Sequence, residues 1–243
     1  MAKAPSRPAE IFGLFDAEYR RIFGVDLLSI ILYGSGAGDD YLPGRSDLNF
    51  LITLTEEGIG RLDLALDAIA RWRKRSVAVP LFMTRRDLAG SQDAYPVELI
   101  SMKRQYIVVS GEDVLAGLSF DPCHIRLQLE RELRGKLLHL RSGYLATGGS
   151  VRKIRELIAL SLTAFVSLFG ALLTLKNLAI PAGKRAVITA AGTAFGFPAA
   201  VFLDCEEIRR KTDRFSSAQV REVFRRYLQE VSRLCDQIEQ MEV

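Results

Sequence analysis

The stretch that decides the fold is YGSGAGDDYLPGRSDLNFLITL, which runs from Tyr33 to Leu54. A glycine–serine pair opens it, a loop rich in glycine and charged residues follows, and a short apolar strand closes it. Because side chains alternate along a strand, Asp47 and Asn49 share one face with Leu51 and Thr53, and the other face carries Leu48, Phe50, Ile52 and Leu54. The stretch therefore predicts a turn that leads into a strand with two oxygen-bearing side chains at its start.

Each part of this pattern suits the transfer of a nucleotide from a triphosphate to a hydroxyl. Two carboxylates at positions i and i+2 of a strand point the same way, so both can hold a pair of Mg²⁺ ions against the reacting phosphoryl oxygens. A preceding glycine lets the backbone approach the phosphates closely, and a serine beside it can donate to a phosphate oxygen. The pattern favours phosphoryl chemistry over a purely structural turn.

Gly34, Ser35, Arg45, Ser46 and Asp47 resemble the signature of the DNA polymerase beta-like nucleotidyltransferase superfamily. The order of the chain, strands first and helices after, resembles the two-domain bacterial members, including aminoglycoside nucleotidyltransferases. The resemblance implies an α+β fold, with a small mixed sheet and helices followed by a C-terminal helical bundle. It also implies a nucleoside triphosphate as substrate and magnesium as cofactor, with phosphate contacts from the first four of these residues and a metal contact from Asp47.

Two departures from the family pattern weaken the expected magnesium site. The second metal-binding acid is replaced by Asn49, whose amide oxygen can coordinate a cation but carries no charge. The third acid should fall in SVAVPLFMT, residues 76–84, which contains none. Glu98 is the nearest alternative, whereas Asp39 and Asp40 lie in the loop and would approach phosphates only unfavourably. We therefore expect Asp47, Asn49 and Glu98 as the catalytic set, the first two as metal ligands, and weak or absent magnesium.

Three functions are compatible with the sequence. The first is a nucleotidyltransferase with a relaxed metal site, acting on a small molecule or a protein. The second is an inactive nucleotide-binding or regulatory module that works through its helical half. The third is a membrane-associated protein that uses the uncharged stretch Leu157–Leu175, although hydroxyls and a glycine within it favour a buried core helix. The acceptor, the nucleotide and the oligomeric state, including a homodimer, stay open.

The chain divides by pattern into residues 1–120 and residues 121–243. In the first part, residues 8–23 predict a helix, and DLLSIILYGS, SDLNFLITL and SVAVPLFMT predict strands. Residues 56–74 predict one further helix, and PVELISMK and QYIVVSG predict a strand or a strand pair. The side chains expected to face inward from the helix of residues 56–74 are Leu62, Leu66, Ile69, Ala70 and Trp72.

The second part predicts helices throughout, with Ser216 or Ser217 as the N-cap of the last one. The stripe of Phe165, Phe169 and Leu172 is interpreted as core packing. The predicted helices cover residues 122–146, 150–176, 182–195, 199–211 and 216–240.

Composition sets broad limits on function. The 243 residues carry a formal net charge of +4, which suits phosphate ligands but gives no strong signal for nucleic acid. Three scattered cysteines and two histidines make a zinc site improbable and favour reduced thiols in the cytoplasm. The N-terminus has no apolar segment of a signal peptide. The basic clusters at residues 71–75 and 209–211 are interpreted as solvated helix ends.

Overall fold

The computed structural model describes residues 4–38, 41–210 and 215–242. Asp39 and Asp40 lie outside these ranges, as does the predicted end of a helix at Lys211. The described residues form two compact units. The first runs through Tyr95 and includes Leu99–Ser119, and the second combines Pro96–Glu98 with the chain from Phe120 onward. That residues 1–120 and 121–243 are independent domains stays a prediction.

A four-stranded mixed sheet organises the first unit, as the sequence predicts. Its order is β3–β2–β1–β4, in which β1 pairs antiparallel with β2 and β4, and β3 runs parallel to β2. An isolated parallel bridge between Leu48 and Val77 extends the β2–β3 pairing beyond the N-terminal ends of the two strands. The strands are β1 (Leu27–Tyr33), β2 (Asn49–Leu54), β3 (Leu81–Thr84) and β4 (Tyr106–Gly111).

The helices of the first unit are short, and 3₁₀ turns connect several of them. The turn Gly34–Ala37 follows β1 directly, and the turn Leu62–Ala65 precedes α3. The first turn of α5 belongs to the second unit. The helices are α1 (Phe12–Phe23), α2 (Glu56–Ile59), α3 (Leu66–Arg73), α4 (Arg85–Gly90) and α5 (Pro96–Arg104).

One face of the sheet packs against α1 and α3. Phe15 of α1 stacks on Phe50 of β2 with ring centroids 4.1 Å apart, and its ring lies 5.1 Å from that of Trp72 of α3. The apolar residues of β2 that share a face with Phe50 are fully buried in the same core. The predicted alternation of β2 is therefore confirmed, and it directs the opposite face of the strand away from this core.

The segment of residues 56–74 is not the single helix that the sequence predicts. The helix α2 ends at Ile59. The 3₁₀ turn Leu62–Ala65 then has a tighter winding than an α-helix, so it changes which side chains face inward before α3 begins. Ala65, Ala68 and Trp72 consequently face the core at spacings of three and four residues. Trp72 is buried as predicted and Ile69 is half-buried, but the inward orientation predicted for the remaining three side chains is wrong. The exposed residues are Leu62, Leu66 and Ala70.

The prediction of a strand at PVELISMK is also wrong, because these residues lie in α5. Pro96 occupies the first helical position, where its fixed φ suits the helix and its missing N–H costs no hydrogen bond. The following segment QYIVVSG does form a strand, β4. The sequence contains only a weak signal for this helix, since α5 is nine residues long and shows little apolar periodicity.

The second unit is helical, and its helices begin and end within two residues of the predicted bounds. Ser216 caps the last helix, because its hydroxyl oxygen accepts a hydrogen bond from the Gln219 N–H at 3.3 Å. The α+β fold class is therefore confirmed. The helices are α6 (Pro122–Ala146), α7 (Val151–Leu175), α8 (Lys184–Phe195), α9 (Ala199–Arg209) and α10 (Ser217–Glu239).

Within the described residues, only α7 is long and apolar enough to cross a membrane. Its most apolar window is 56% buried inside the protein. Phe165, Phe169 and Leu172 of this helix are fully buried, as predicted for a core stripe. Such burial supports a core helix of a soluble protein over a membrane span.

Candidate functional site

The start of β2 orients the two side chains that the sequence singles out. Leu48 is fully buried, its N–H donates to the Ser76 carbonyl at 2.9 Å, and its own carbonyl accepts from the Ala78 N–H at 3.0 Å. Because these bonds keep the chain extended, Asp47 and Asn49 on either side of Leu48 point to the opposite face. Asp47 is exposed and Asn49 is half-buried.

The 3₁₀ turn Gly34–Ala37 packs directly against this start of β2. Tyr33, the last residue of β1, is the pairing partner of Asn49. A Cβ placed on Gly34 would lie 3.8 Å from Asn49 Nδ2, and one placed on Gly36 would lie 2.7 Å from Leu48 Cδ2. The turn that carries Ser35 and the strand start that carries Asn49 therefore form one local site.

Gln105 fixes both ends of the turn. Its carbonyl accepts a hydrogen bond from the Gly34 N–H at 3.0 Å, and its side chain fills the space that a Cβ on Gly38 would occupy. Sequence reasoning missed this residue, because its position depends on the pairing of β4 with β1. No local pattern around Gln105 indicates that pairing.

Gly34→Ala should destabilise the protein by about 1–2 kcal/mol. Gly34 has φ +74°, a left-handed conformation that strains any side chain, while the added methyl would meet only Asn49 Nδ2 at 3.8 Å. The cost therefore comes from the backbone, and urea unfolding measures it. The matched control is Gly13→Ala on an open face of α1, which should stabilise by about 0.5–1 kcal/mol. Wild-type stability of Gly34→Ala would show that the turn does not adopt this conformation.

Arg45 and Ser46 lie in the loop that precedes Asp47. The Ser46 hydroxyl oxygen accepts from the Leu42 N–H at 3.1 Å, and the Ser46 N–H donates to the Leu42 carbonyl at 2.8 Å. This closes the loop and leaves the hydroxyl proton of Ser46 able to donate. The Arg45 guanidinium is exposed and makes no ion pair with any residue in the described ranges. Their phosphate contacts stay predictions.

Glu98 belongs to the second unit, in the first turn of α5. Its Oε2 accepts a hydrogen bond from Nε2 of the buried Gln128 of α6 at 2.6 Å, while Gln128 Oε1 accepts from the Val97 N–H at 2.8 Å. The carboxylate thus has a structural partner between two helices. Its role as a third ligand or base stays a prediction.

The donors at the start of β2 do not fit a pair of magnesium ions. Across residues 4–38, 41–210 and 215–242, no group of three His, Cys, Asp or Glu side chains comes together as a metal site. Asp47 supplies one anionic oxygen pair and Asn49 one neutral oxygen, whereas Mg²⁺ prefers several anionic oxygens. The Tyr33 phenol opposite Asn49 is neutral at pH 7, and burial raises its pKa further above the ordinary value.

Comparisons with known proteins reveal a likeness in structure. Neither the models of known protein families nor the curated proteins match this chain. Among solved structures, the chain is similar to the spectinomycin adenyltransferase AAD(9) from Enterococcus faecialis, determined with ATP and spectinomycin. The TM-score is 0.52 at 12% identity, and the match covers 91% of this chain and 99% of the adenyltransferase. The chain therefore shares its fold with this adenyltransferase, which confirms the nucleotidyltransferase-type fold predicted from Tyr33–Leu54.

Proposed function

We propose that this protein binds a nucleoside triphosphate at the Gly34–Ala37 turn and the start of β2, and transfers its nucleotidyl group slowly to a hydroxyl. The observation that carries the proposal is the packing of this turn against Asn49 and Leu48. This packing supports the proposal because it brings the turn that carries Ser35 next to the strand start that carries Asn49, in a fold shared with an adenyltransferase determined with ATP.

The phosphates would be held by neutral and cationic donors. Ser35 can donate its hydroxyl proton, Asn49 its amide protons, and the exposed guanidinium of Arg45 can form charge-assisted hydrogen bonds. Magnesium would enter as the counter-ion of the triphosphate, since the described side chains do not fit a resident pair. The protein would be cytoplasmic, where ATP and magnesium are plentiful.

Transfer would be slow because the site lacks charge where the transition state needs it. Asp47 is the one carboxylate at the start of β2, and the strand β3 beside it contains no acid. Every ~1.4 kcal/mol of lost transition-state stabilisation lowers the rate about tenfold. The same observation favours a second candidate, an inactive nucleotide-binding module that acts through its helical unit.

Calorimetric titration with ATP tests the nucleotide site. Asp47→Ala should weaken ATP binding in excess Mg²⁺ by about two- to fivefold, because an exposed charge contact of this kind is worth up to about 1 kcal/mol. In EDTA the same variant should bind ATP two- to fivefold tighter by the same estimate, since the carboxylate then only repels the triphosphate.

Asp63→Ala is the matched control, because Asp63 is an exposed acid of the first unit without an ion pair among the residues described. Its ATP affinity should equal that of the wild type in both buffers. Equal effects of the two variants, or no ATP binding by the wild type, would refute the proposed site.

Transfer itself can be followed with radiolabelled ATP, using spectinomycin as the first acceptor because the structural neighbour holds it. Slow labelling that Asp47→Ala abolishes would support the weakened enzyme. Nucleotide binding without labelling of this or other hydroxylated acceptors would favour the inactive module. Rapid turnover would contradict the argument from the missing acids.

A further inference from the structure

A separate cavity opens on the first unit, against α1 and α3. Its volume is about 620 Å³, within the range typical of small-molecule sites, roughly 300–1,000 Å³. None of its lining residues belongs to the Gly34–Ala37 turn or to the start of β2. The cavity is lined by Leu14, Ala17, Glu18, Arg21, Arg71, Trp72, Lys74 and Arg75.

The lining combines an apolar surface with a basic rim. Leu14, Ala17 and the indole of Trp72 supply the apolar part. Four cations and the single carboxylate of Glu18 supply the rim, which leaves a net charge of +3. A concave surface of this kind complements a ligand that is apolar at one end and anionic at the other.

Contacts within the wall hold its central side chains in place. Trp72 Nε1 donates to Glu18 Oε2 at 2.8 Å, and Glu18 also forms a salt bridge with Arg71. The guanidinium of Arg75 lies 5.3 Å from the centroid of the Trp72 ring, in a cation–π contact. Trp72 is only 5% exposed. A ligand would therefore meet a wall that is already ordered.

Two cations of the rim have neither an anionic partner nor a cation–π contact among the described residues. Arg21 and Lys74 are exposed and form no ion pair within the described part of the chain, whereas the charge of Arg71 is balanced by Glu18. Arg71, Lys74 and Arg75 lie at spacings of three and four residues, so that they line the same side, and Arg73 does not line the cavity. Part of the basic cluster at residues 71–75 therefore lines the cavity.

We propose that this cavity binds a small amphipathic anion, with an alkyl or aryl body against Leu14 and Trp72 and a phosphate, sulfonate or carboxylate group between Arg21 and Lys74. The concave, partly apolar surface suits a soluble small molecule better than a membrane surface or a nucleic-acid backbone. The site is distinct from the proposed nucleotide site and does not depend on it.

Trp72 is the single tryptophan of the chain, so its fluorescence reports occupancy of the cavity directly. Hexyl phosphate is a suitable probe, because it absorbs no ultraviolet light where tryptophan is excited. It should change the fluorescence saturably, at a concentration at least fivefold lower than either hexanol or inorganic phosphate requires. Equal responses to the three compounds, or none, would overturn the proposal.

Charge-removing variants locate the binding event. Arg21→Gln and Lys74→Gln should each raise the half-saturation concentration about two- to fivefold, as expected for an exposed charge contact. Arg73→Gln, an exposed cation of the same cluster outside the lining, is the matched control and should leave it unchanged. A response that all three variants weaken equally would mean unspecific attraction to the basic surface and would overturn the site.

Anionic lipids also combine an apolar body with a charged group, so a separate experiment with vesicles tests whether they bind at this cavity. Vesicles of phosphatidylcholine with 20% phosphatidylglycerol, a composition chosen as about one charged lipid in five, should leave Trp72 fluorescence unchanged. A saturable response to these vesicles that Lys74→Gln abolishes would assign the surface to a membrane instead of a small molecule.

Discussion

Asn49→Asp should tighten ATP binding in excess Mg²⁺ by about tenfold. The substitution is isosteric and adds one negative charge at a half-buried position beside the Gly34–Ala37 turn. At an effective dielectric constant of about 20, a unit charge pair 4 Å apart interacts by about 4 kcal/mol, and a divalent ion by twice that. Solvent compensates most of this energy, and a remainder of about 1.4 kcal/mol corresponds to the tenfold change. Calorimetric titration with ATP measures it.

The same variant should bind ATP more weakly than the wild type in EDTA, because the added charge then repels the triphosphate. It should not restore rapid transfer, since the strand β3 still provides no acid. Asn177→Asp is the matched control, an exposed asparagine of the second unit. If Asn49→Asp left the magnesium dependence of ATP binding unchanged, Asn49 would not face the triphosphate.

Phe202→Ala should lower the free energy of unfolding by about 3–5 kcal/mol. The ring is fully buried in α9 and meets Phe169 at 4.8 Å and Phe197 at 5.2 Å between centroids, both edge-on, with Tyr227 at 5.5 Å. Truncation removes the transfer free energy of the ring and leaves a cavity that three rigid aromatic neighbours cannot fill. Urea unfolding followed by circular dichroism measures the loss.

Leu160→Ala on α7 is the control, since Leu160 is 81% exposed and its truncation should change stability by less than about 0.5 kcal/mol. The experiment also tests the proposed division into domains. If residues 1–120 and 121–243 fold independently, Phe202→Ala should shift only one of two transitions. A loss below about 1 kcal/mol would show that the aromatic cluster is not packed as described.

The sequence predicts well those elements whose signal is local and long. The five helices of the second unit carry apolar periodicity over 11 to 25 residues, with breaks at glycine and proline and a serine cap before α10. The strand β2 is predicted from its alternation, and Phe50 is buried while Asn49 stays half-exposed. In these places the local preference and the packing agree.

Short elements and long-range contacts could not be predicted in this way. The helix α5 spans nine residues with little periodicity, and the 3₁₀ turn before α3 changes which side chains face inward. Gln105 gains its role through a strand pairing across about seventy residues of chain. The hydrogen bond from Trp72 to Glu18 likewise joins two helices that are more than fifty residues apart in the chain, so no local pattern indicates it.

The contact between Gln105 and the Gly34–Ala37 turn limits how the sequence of this protein can vary among its relatives. The carbonyl that receives the Gly34 N–H belongs to the backbone, so replacement of the Gln105 side chain leaves that bond available. A residue inserted or deleted between α5 and β4 would instead displace the carbonyl and reverse the faces of β4. Relatives of this protein should therefore vary in residue type at this junction while keeping its length constant.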